Sequence, residues 1–349
     1  MGNLLCDTHS SSPVHTLTRV QKKKKKRRKF EDIYKLGQQL RSSKCATVYS
    51  CTRIDKPNAL FAVKRVNKQV TKQIFKDLLP NLHREINFLK ELRDCENVAK
   101  IYDTFETKKD LWIVMEYMTE GDLADLIMKG RMKEKEVISI VRQIAQALSY
   151  LHSRGIVHRD IKLENIMLTQ KSGKSIVKLI DFGISTRIGD HILRPSSVGT
   201  PGWLAPEIIS RRKYDESADM WSLGIATYVL LVGVLPFDEP LLNSSYGTKT
   251  DFCVDFRSAW HVTTDGCDFI SRLITKDPSQ RLTASEALKH PWLTRGFVDS
   301  TKHIRPRRSW PYDHINDVLY SSSLPSSVGG GSESKGCSSP YMNKSRKKM

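Results

Sequence analysis

The chain has 349 residues, 39% of them hydrophobic and 8% aromatic, enough to bury a core of one large or two modest domains. Its formal charge of +19 sits mostly at the ends, with +8 on residues 1–30, +6 on residues 294–349 and only +5 between them, so the charge belongs to the tails. Seven scattered cysteines (Cys6, Cys45, Cys51, Cys95, Cys253, Cys267, Cys337) form no CxxC pair and no zinc-ligand spacing, which argues against a zinc module and fits reduced thiols.

Residues 1–29 end in an unbroken basic block, Lys22–Lys29, and are expected to be disordered in isolation. There is no apolar run followed by a cleavage site, so no secretory signal is expected. From Phe30 to about Lys109 short β-branched and aromatic runs predict strands, at Ala46–Cys51, Leu60–Lys64 and, just beyond, Leu111–Met118. Between them, over about Gln73–Leu92, Leu78, Leu82, Ile86 and Leu89 recur at helical spacing and predict a helix. Ile138, Val141, Ile144, Ala145, Leu148 and Leu151 then mark one face of a longer helix. Met220–Phe237 runs 18 residues without a charge, long enough to raise a membrane span. Ser222, Gly224, Thr227, Gly233 and Pro236 within it, and Asp219 and Asp238 beside it, favour a buried core helix. From residue 294 to 349 Pro, Ser and Gly accumulate, predicting a flexible basic tail. No internal repeat is present.

Phosphoryl transfer needs a cation for the phosphates, oxygen ligands for magnesium, a base for the hydroxyl and an enclosed pocket. Ala62-Val63-Lys64, Glu85, His158-Arg159-Asp160-Ile161-Lys162-Leu163-Glu164-Asn165, Asp181-Phe182-Gly183 and Ala205-Pro206-Glu207 follow one another in the order of the protein-kinase signature set, which the chain resembles. Further elements agree: Gly199-Thr200-Pro201, the run from Asp219 to Gly224, Arg281, and His290-Pro291-Trp292-Leu293. The resemblance covers about Tyr34–Leu293.

It implies an α+β fold of two lobes, a small β-rich lobe over about residues 30–117 and a larger, mainly helical lobe over about 118–293, with ATP between them. The small lobe is expected to hold one antiparallel sheet and one helix. On the same resemblance Lys64 holds the phosphates, oriented by Glu85, and Asp160 accepts the substrate hydroxyl proton. Lys162 neutralises the moving phosphoryl group, and Asn165 and Asp181 ligate magnesium. Met115 is the gatekeeper, with hinge contacts from Glu116 and Met118; Ala62 and Val48 are also expected to contact ATP. Glu207 is expected to pair with Arg281, and Asp219 to support the catalytic loop.

Lys162 and Gly199-Thr200-Pro201 resemble serine/threonine rather than tyrosine kinases. Asp122 and Glu164 stand where basophilic kinases meet substrate arginines, and Asp122 is also expected to meet the ribose. Tyr34-Lys35-Leu36-Gly37 and Tyr49-Ser50-Cys51-Thr52 are similar to the calcium/calmodulin-dependent group, particularly to kinases that carry their own EF-hands. No calcium-binding loop of that kind follows the domain here, so the chain itself is not expected to bind calcium.

The glycine-rich loop departs from the pattern. Leu40 stands at its start, Arg41, Ser43 and Ala46 occupy the three glycine positions, and Cys45 is at the tip. Glycine lets backbone amides approach phosphates closely, so weakened nucleotide binding is expected. Two readings follow, an active enzyme that tolerates the loop and a pseudokinase scaffold.

Arg159 before the catalytic Asp goes with control by activation-loop phosphorylation, for which Ser196 and Ser197 are the candidates beside Thr200; both serines also fit solvated loop residues. Gly2 after Met1 is a myristoyl acceptor, although Cys6 stands where Ser or Thr is preferred; Cys6 could itself be palmitoylated. One acyl chain with the Lys22–Lys29 block suits an anionic membrane surface on the cytoplasmic face. A nuclear-localisation signal is the competing reading and nucleic-acid contact a third, not expected. Arg305, Arg307, Arg308, Trp310 and Leu319 faintly resemble a calmodulin target, against which Pro311, Asp313 and Asp317 argue.

Overall fold

The computed structural model describes residues 28–74, 78–130, 132–189, 199–237, 254–259 and 261–295. Its upper part is a five-stranded antiparallel sheet in the order β1-β2-β3-β5-β4, from β1 Tyr34–Ser42, β2 Ala46–Arg53, β3 Lys56–Asn67, β4 Ile101–Glu106 and β5 Asp110–Glu116. Two helices follow β3, α1 Lys68–Ile74 and α2 Leu78–Glu91. The helix expected over about 73–92 is α2, and α1 precedes it as a second helix of the small lobe. Asn67 explains the first start: its side chain accepts from the amides of Gln69 and Val70, an N-cap that lets β3 turn directly into α1.

One face of this sheet packs Phe30, Tyr34, Cys51, Val63, Phe105, Trp112 and Val114. The Phe30 and Trp112 rings stack at 4.7 Å, so Phe30 belongs to the core. The other face packs Val66, Leu111 and Ile113 against Leu82 and Ile86, the helical stripe read in the sequence, and thereby holds α2 on the sheet.

The lower part begins after the connecting residues 117–120. In chain order it contains β6 Gly121–Asp122, α3 Leu123–Met128, α4 Glu134–His152, β7 Ile156–Val157, β8 Ile166–Lys171, β9 Lys174–Leu179, β10 Thr186–Arg187, α5 Pro206–Ile209, α6 Ser217–Val232, α7 Thr264–Leu273, α8 Ala284–Ala287 and α9 Pro291–Thr294. Short ladders β6-β8-β9 and β7-β10 carry the loops of the cleft floor. The uncharged stretch from Met220 is α6, buried on every side from Ala218 to Val232. A helix apolar all round is a core helix when other helices cover it, as α4 and α7 do here. Gly233 ends it at φ 89°, a left-handed C-cap that a side chain resists. Among the described residues no helix is long and apolar enough to cross a membrane.

Candidate active site

The roof of the cleft is set by strand register. Arg41 lies opposite Val48 and Val48 opposite Lys64, so these three side chains share one sheet face, above the cleft. A register shift between Gln39 and Arg41 leaves Leu40 unpaired and brings Arg41 into this row. Ala62 lies opposite Met115 and Lys64 opposite Ile113.

From this row Lys64 reaches two carboxylates. Its Nζ donates to Glu85 Oε1 at 2.7 Å and stands 3.6 Å from Asp181 Oδ1. The buried face of α2 carries Glu85 here, 2% exposed. Burial opposes the ammonium charge, but Asp181 and Glu85 together outweigh it and raise the Lys64 pKa. Lys64 in turn holds Asp181 below the usual carboxylate range, while burial pushes Glu85 up. Glu85 Oε2 has no hydrogen-bond partner among the described residues.

The floor is organised by Asp219 at the first turn of α6. Its Oδ2 accepts from the His158 amide and its Oδ1 from the Arg159 amide, both at 2.8 Å, and His152 Nε2 lies 3.0 Å from Oδ2. Burial would raise the Asp219 pKa, but these hydrogen bonds and the two histidines lower it below the ordinary range. Its contribution to stability is thus present above the unfolded carboxylate pKa and lost only as pH falls through the lower folded value. The two amide bonds also hold Arg159 at φ 72°, a left-handed backbone that only over-determined surroundings maintain in a non-glycine residue.

Asp160 then projects into the cleft with both oxygens engaged. Oδ1 accepts from Thr200 Oγ1 at 3.0 Å and Oδ2 from Asn165 Nδ2 at 2.7 Å. Lys162 Nζ lies 3.1 Å from Asp160 Oδ2 and donates to Thr200 Oγ1 at 2.7 Å. Asn165 Nδ2 also donates to the Asp160 carbonyl at 2.9 Å, so both of these bonds use its amide nitrogen and neither uses its oxygen. Below them Phe182 is fully buried against His158, with ring centroids 4.8 Å apart. Glu207 and Arg281 form the expected buried pair, Nη1–Oε1 2.8 Å and Nη2–Oε2 3.1 Å, a bidentate geometry.

At the mouth, Asp122 caps α3 by accepting from the Asp125 amide at 2.8 Å. Its other oxygen takes Arg41 Nη1 at 3.2 Å. Burial raises the Asp122 pKa, against the bonds to backbone amides and the Arg41 charge. Glu164 is 6% exposed, its Oε2 has no partner among the described residues, and burial raises its pKa too. Met115, Glu116 and Met118 line the connection between the lobes, half-buried. The Glu116 carboxylate is turned to Lys178, 2.9 Å away.

Leu40, Arg41 and Ser43 are exposed, and Ala46 and Val48 half-buried. At the hairpin tip Ser43 and Ala46 satisfy one another: the Ser43 amide and hydroxyl both donate to Ala46 O, and the Ala46 amide donates to Ser43 Oγ at 3.2 Å. Gly37, the one glycine of β1, lies so close to β2 that an added Cβ would sit 2.4 Å from Ser50 Oγ. Its freedom serves strand packing rather than phosphate approach.

Residues 34–293 match the protein kinase domain. The chain belongs to the protein kinase family. This kinase is 34% identical to myosin light chain kinase A of Dictyostelium discoideum over 274 residues, 78% of the chain and 91% of that protein. It is equally 34% identical to human death-associated protein kinase 2 over 290 residues, 81% and 77% of the two chains. With calcium-dependent protein kinase 9 of Arabidopsis thaliana it shares 33% over 281 residues, 79% of this kinase but 51% of that one. These likenesses place it among the serine/threonine kinases, where it is similar to the calcium/calmodulin-dependent group.

The kinase brings Lys64, Glu85, Asp160, Lys162, Asn165 and Asp181 to one cleft, with Ala62, Val48, Met115, Asp122 and Glu164 around it. Ser196, Ser197, Gly2 and Cys6 lie outside the described residues. The sequence reading missed three partnerships, Thr200 with Asp160 and Lys162, Lys178 with Glu116, and Arg41 with Asp122. Only the first had a signal in the sequence, the place of Thr200 within Gly199-Thr200-Pro201.

Proposed function

We propose that this kinase is catalytically active and transfers the γ-phosphoryl group of Mg-ATP to serine and threonine hydroxyls of proteins. The observation that carries the reading is that both halves of the machinery stand assembled together, Lys64 on Glu85 and Asp181 above, Asp160 with Lys162, Asn165 and Thr200 below. Phosphoryl transfer is chiefly positioning and electrostatic stabilisation, and this arrangement supplies both.

In this reading the substrate hydroxyl takes the place of Thr200 Oγ1 on Asp160 Oδ1, which accepts its proton. Lys162 Nζ, already bridging Asp160 and Thr200, stabilises charge on the phosphoryl oxygens, and Lys64 orients the phosphates. The ionised Asp181 carboxylate and the Asn165 amide oxygen are hard oxygen donors and fit magnesium, which binds by one or two such groups plus phosphate. The ion would neutralise charge between the phosphates. Radiolabelled phosphate transfer from Mg-ATP to an arginine-containing peptide is expected for the wild type and is expected to fall about 10²–10⁴-fold in Asp160→Ala. Equal incorporation by both proteins would show that the transfer is not this site's.

The pseudokinase reading draws on one observation, the amides of Ser43 and Ala46, which their own turn consumes. Absence of transfer by wild type, even with Ser196 or Ser197 phosphorylated, would favour it.

Substrates with arginine upstream are favoured by Glu164, a buried carboxylate with an unmatched oxygen at the cleft. Phosphorylation at Ser196 or Ser197 would act through Arg159, whose buried guanidinium lies over Tyr214; unchanged activity in the double alanine variant would remove this idea. Anchoring through Gly2, Cys6 and Lys22–Lys29 on an anionic membrane is the proposed location, and a Gly2→Ala variant should leave the membrane fraction.

A further inference from the structure

Arg41 stands where a kinase of this kind carries a glycine, and its guanidinium does not turn inward along the row it shares with Val48 and Lys64. It reaches across the cleft instead, to Asp122 Oδ2 at 3.2 Å. Arg41 belongs to the upper sheet. Asp122 belongs to the lower lobe, anchored by β6 pairing with Met167 and by its cap on α3. The ion pair therefore joins the lobes at the mouth, on the solvent side of Lys64.

The two partners differ in a way that makes the contact reversible. The Asp122 side chain is 8% exposed and fixed by the Asp125 amide, whereas that of Arg41 is 54% exposed and held at this end by the carboxylate alone among the described residues. A half-exposed arginine with one well-placed acceptor on a buried carboxylate makes a directional, salt-sensitive bond of modest strength. The hairpin that carries it is closed at its tip, where Ser43 and Ala46 bond to each other.

From this geometry we infer that Arg41 is a latch on the nucleotide cleft: a positioning residue whose ion pair with Asp122 holds the β1–β2 hairpin down, and which incoming nucleotide must displace. The inference rests on the reading that nucleotide lies beneath the Arg41–Val48–Lys64 row. A site that is open for only a fraction of the time shows an affinity reduced by that fraction, so the latch weakens apparent binding without touching the phosphate or metal ligands. With Arg41, Ser43 and Ala46 at the three glycine positions, the hairpin is held by charge where backbone freedom would otherwise serve.

The test is isothermal titration of MgADP into the full chain, wild type and Arg41→Gln, with Arg53→Gln as a control for an exposed arginine of the same sheet, paired with Asp55 away from the cleft. At about 0.01 M salt, where charges act over about 30 Å, Arg41→Gln is expected to bind MgADP roughly twofold to fivefold more tightly than wild type. By about 1 M salt, where the screening length is about 3 Å, the two should converge. Arg53→Gln should follow wild type throughout. Weaker binding by Arg41→Gln would overturn the latch and make Arg41 a phosphate ligand. Equal binding at low salt, or a difference that survives high salt, would overturn it as well. If wild type and variant both fail to bind MgADP, the latch falls together with the catalytic reading, a result distinct from binding that is merely unchanged.

Discussion

The floor of the cleft and its roof are held by different forces. In the floor, Asp219 fixes two consecutive amides, Asp160 is touched by three side chains, and Glu207 is clamped by Arg281, all at least mostly buried. The roof hairpin has one buried position in the nine of β1, closes its tip on a serine hydroxyl and meets the lower lobe through one half-exposed ion pair. Removing one partner from a buried charged network leaves an uncompensated charge, whereas an exposed pair is screened by water. The floor is thereby rigid by over-determination, and the roof is adjustable.

The largest effect expected from this contrast is on Arg281. Arg281→Ala strands the Glu207 carboxylate at 5% side-chain exposure. Urea unfolding should register a loss of roughly 3–5 kcal/mol. A loss below about 1 kcal/mol, the level of a surface pair, would abolish the distinction between floor and roof.

A smaller effect separates binding from stability within the floor. Glu164 has a pKa raised by burial, so its ionised form works against the fold, and stability from this group increases as pH falls. Glu164→Gln should therefore leave Tm unchanged or higher. If Glu164 reads a substrate arginine, the same change should cost about 10–100-fold in kcat/KM for an arginine-containing peptide, the worth of one hydrogen-bonded charge. The peptide preference should also fade in the wild type at a higher pH than an ordinary carboxylate would give, as Glu164 protonates. A lower Tm with unchanged peptide kinetics would make Glu164 a structural residue.

The floor was legible in the sequence because its parts are contiguous. His158 to Asn165 sit within one loop and Asp181-Phe182-Gly183 in another, so order along the chain is enough to name them. Helix α6 was legible for a related reason: an uncharged run bounded by acids has few other solutions. The Glu85 partner of Lys64 could be named only through the resemblance to protein kinases; the regular stripe predicted that α2 packs on the sheet but not which polar residue it would present. The rest depends on geometry that spacing does not carry. Arg41 meets Asp122, 81 residues on, only because a bulge at Leu40 turns Arg41 into the cleft row. The start of α1 at Lys68 follows from a cap by Asn67 that a count of apolar residues overlooks.

The smallest predicted effect bears on the roof alone. Ser43 Oγ closes the hairpin tip by donating to Ala46 O and accepting from the Ala46 amide. Ser43→Gly deletes both bonds and places a flexible residue at one of the three glycine positions. Exposed hydrogen bonds and a glycine in an ordered turn are each worth about 0.5–1.5 kcal/mol, so amide exchange of residues 41–48 should quicken by roughly twofold to tenfold. Global Tm should stay within about 1 °C, because the buried clusters on either face of the sheet are untouched. The freed Ala46 amide becomes available to a phosphate, so KM for ATP should fall or hold while kcat changes little. A collapse of kcat comparable with that of Asp160→Ala would mean that the serine-closed tip is itself part of the catalytic apparatus, and the roof would have to be counted with the floor.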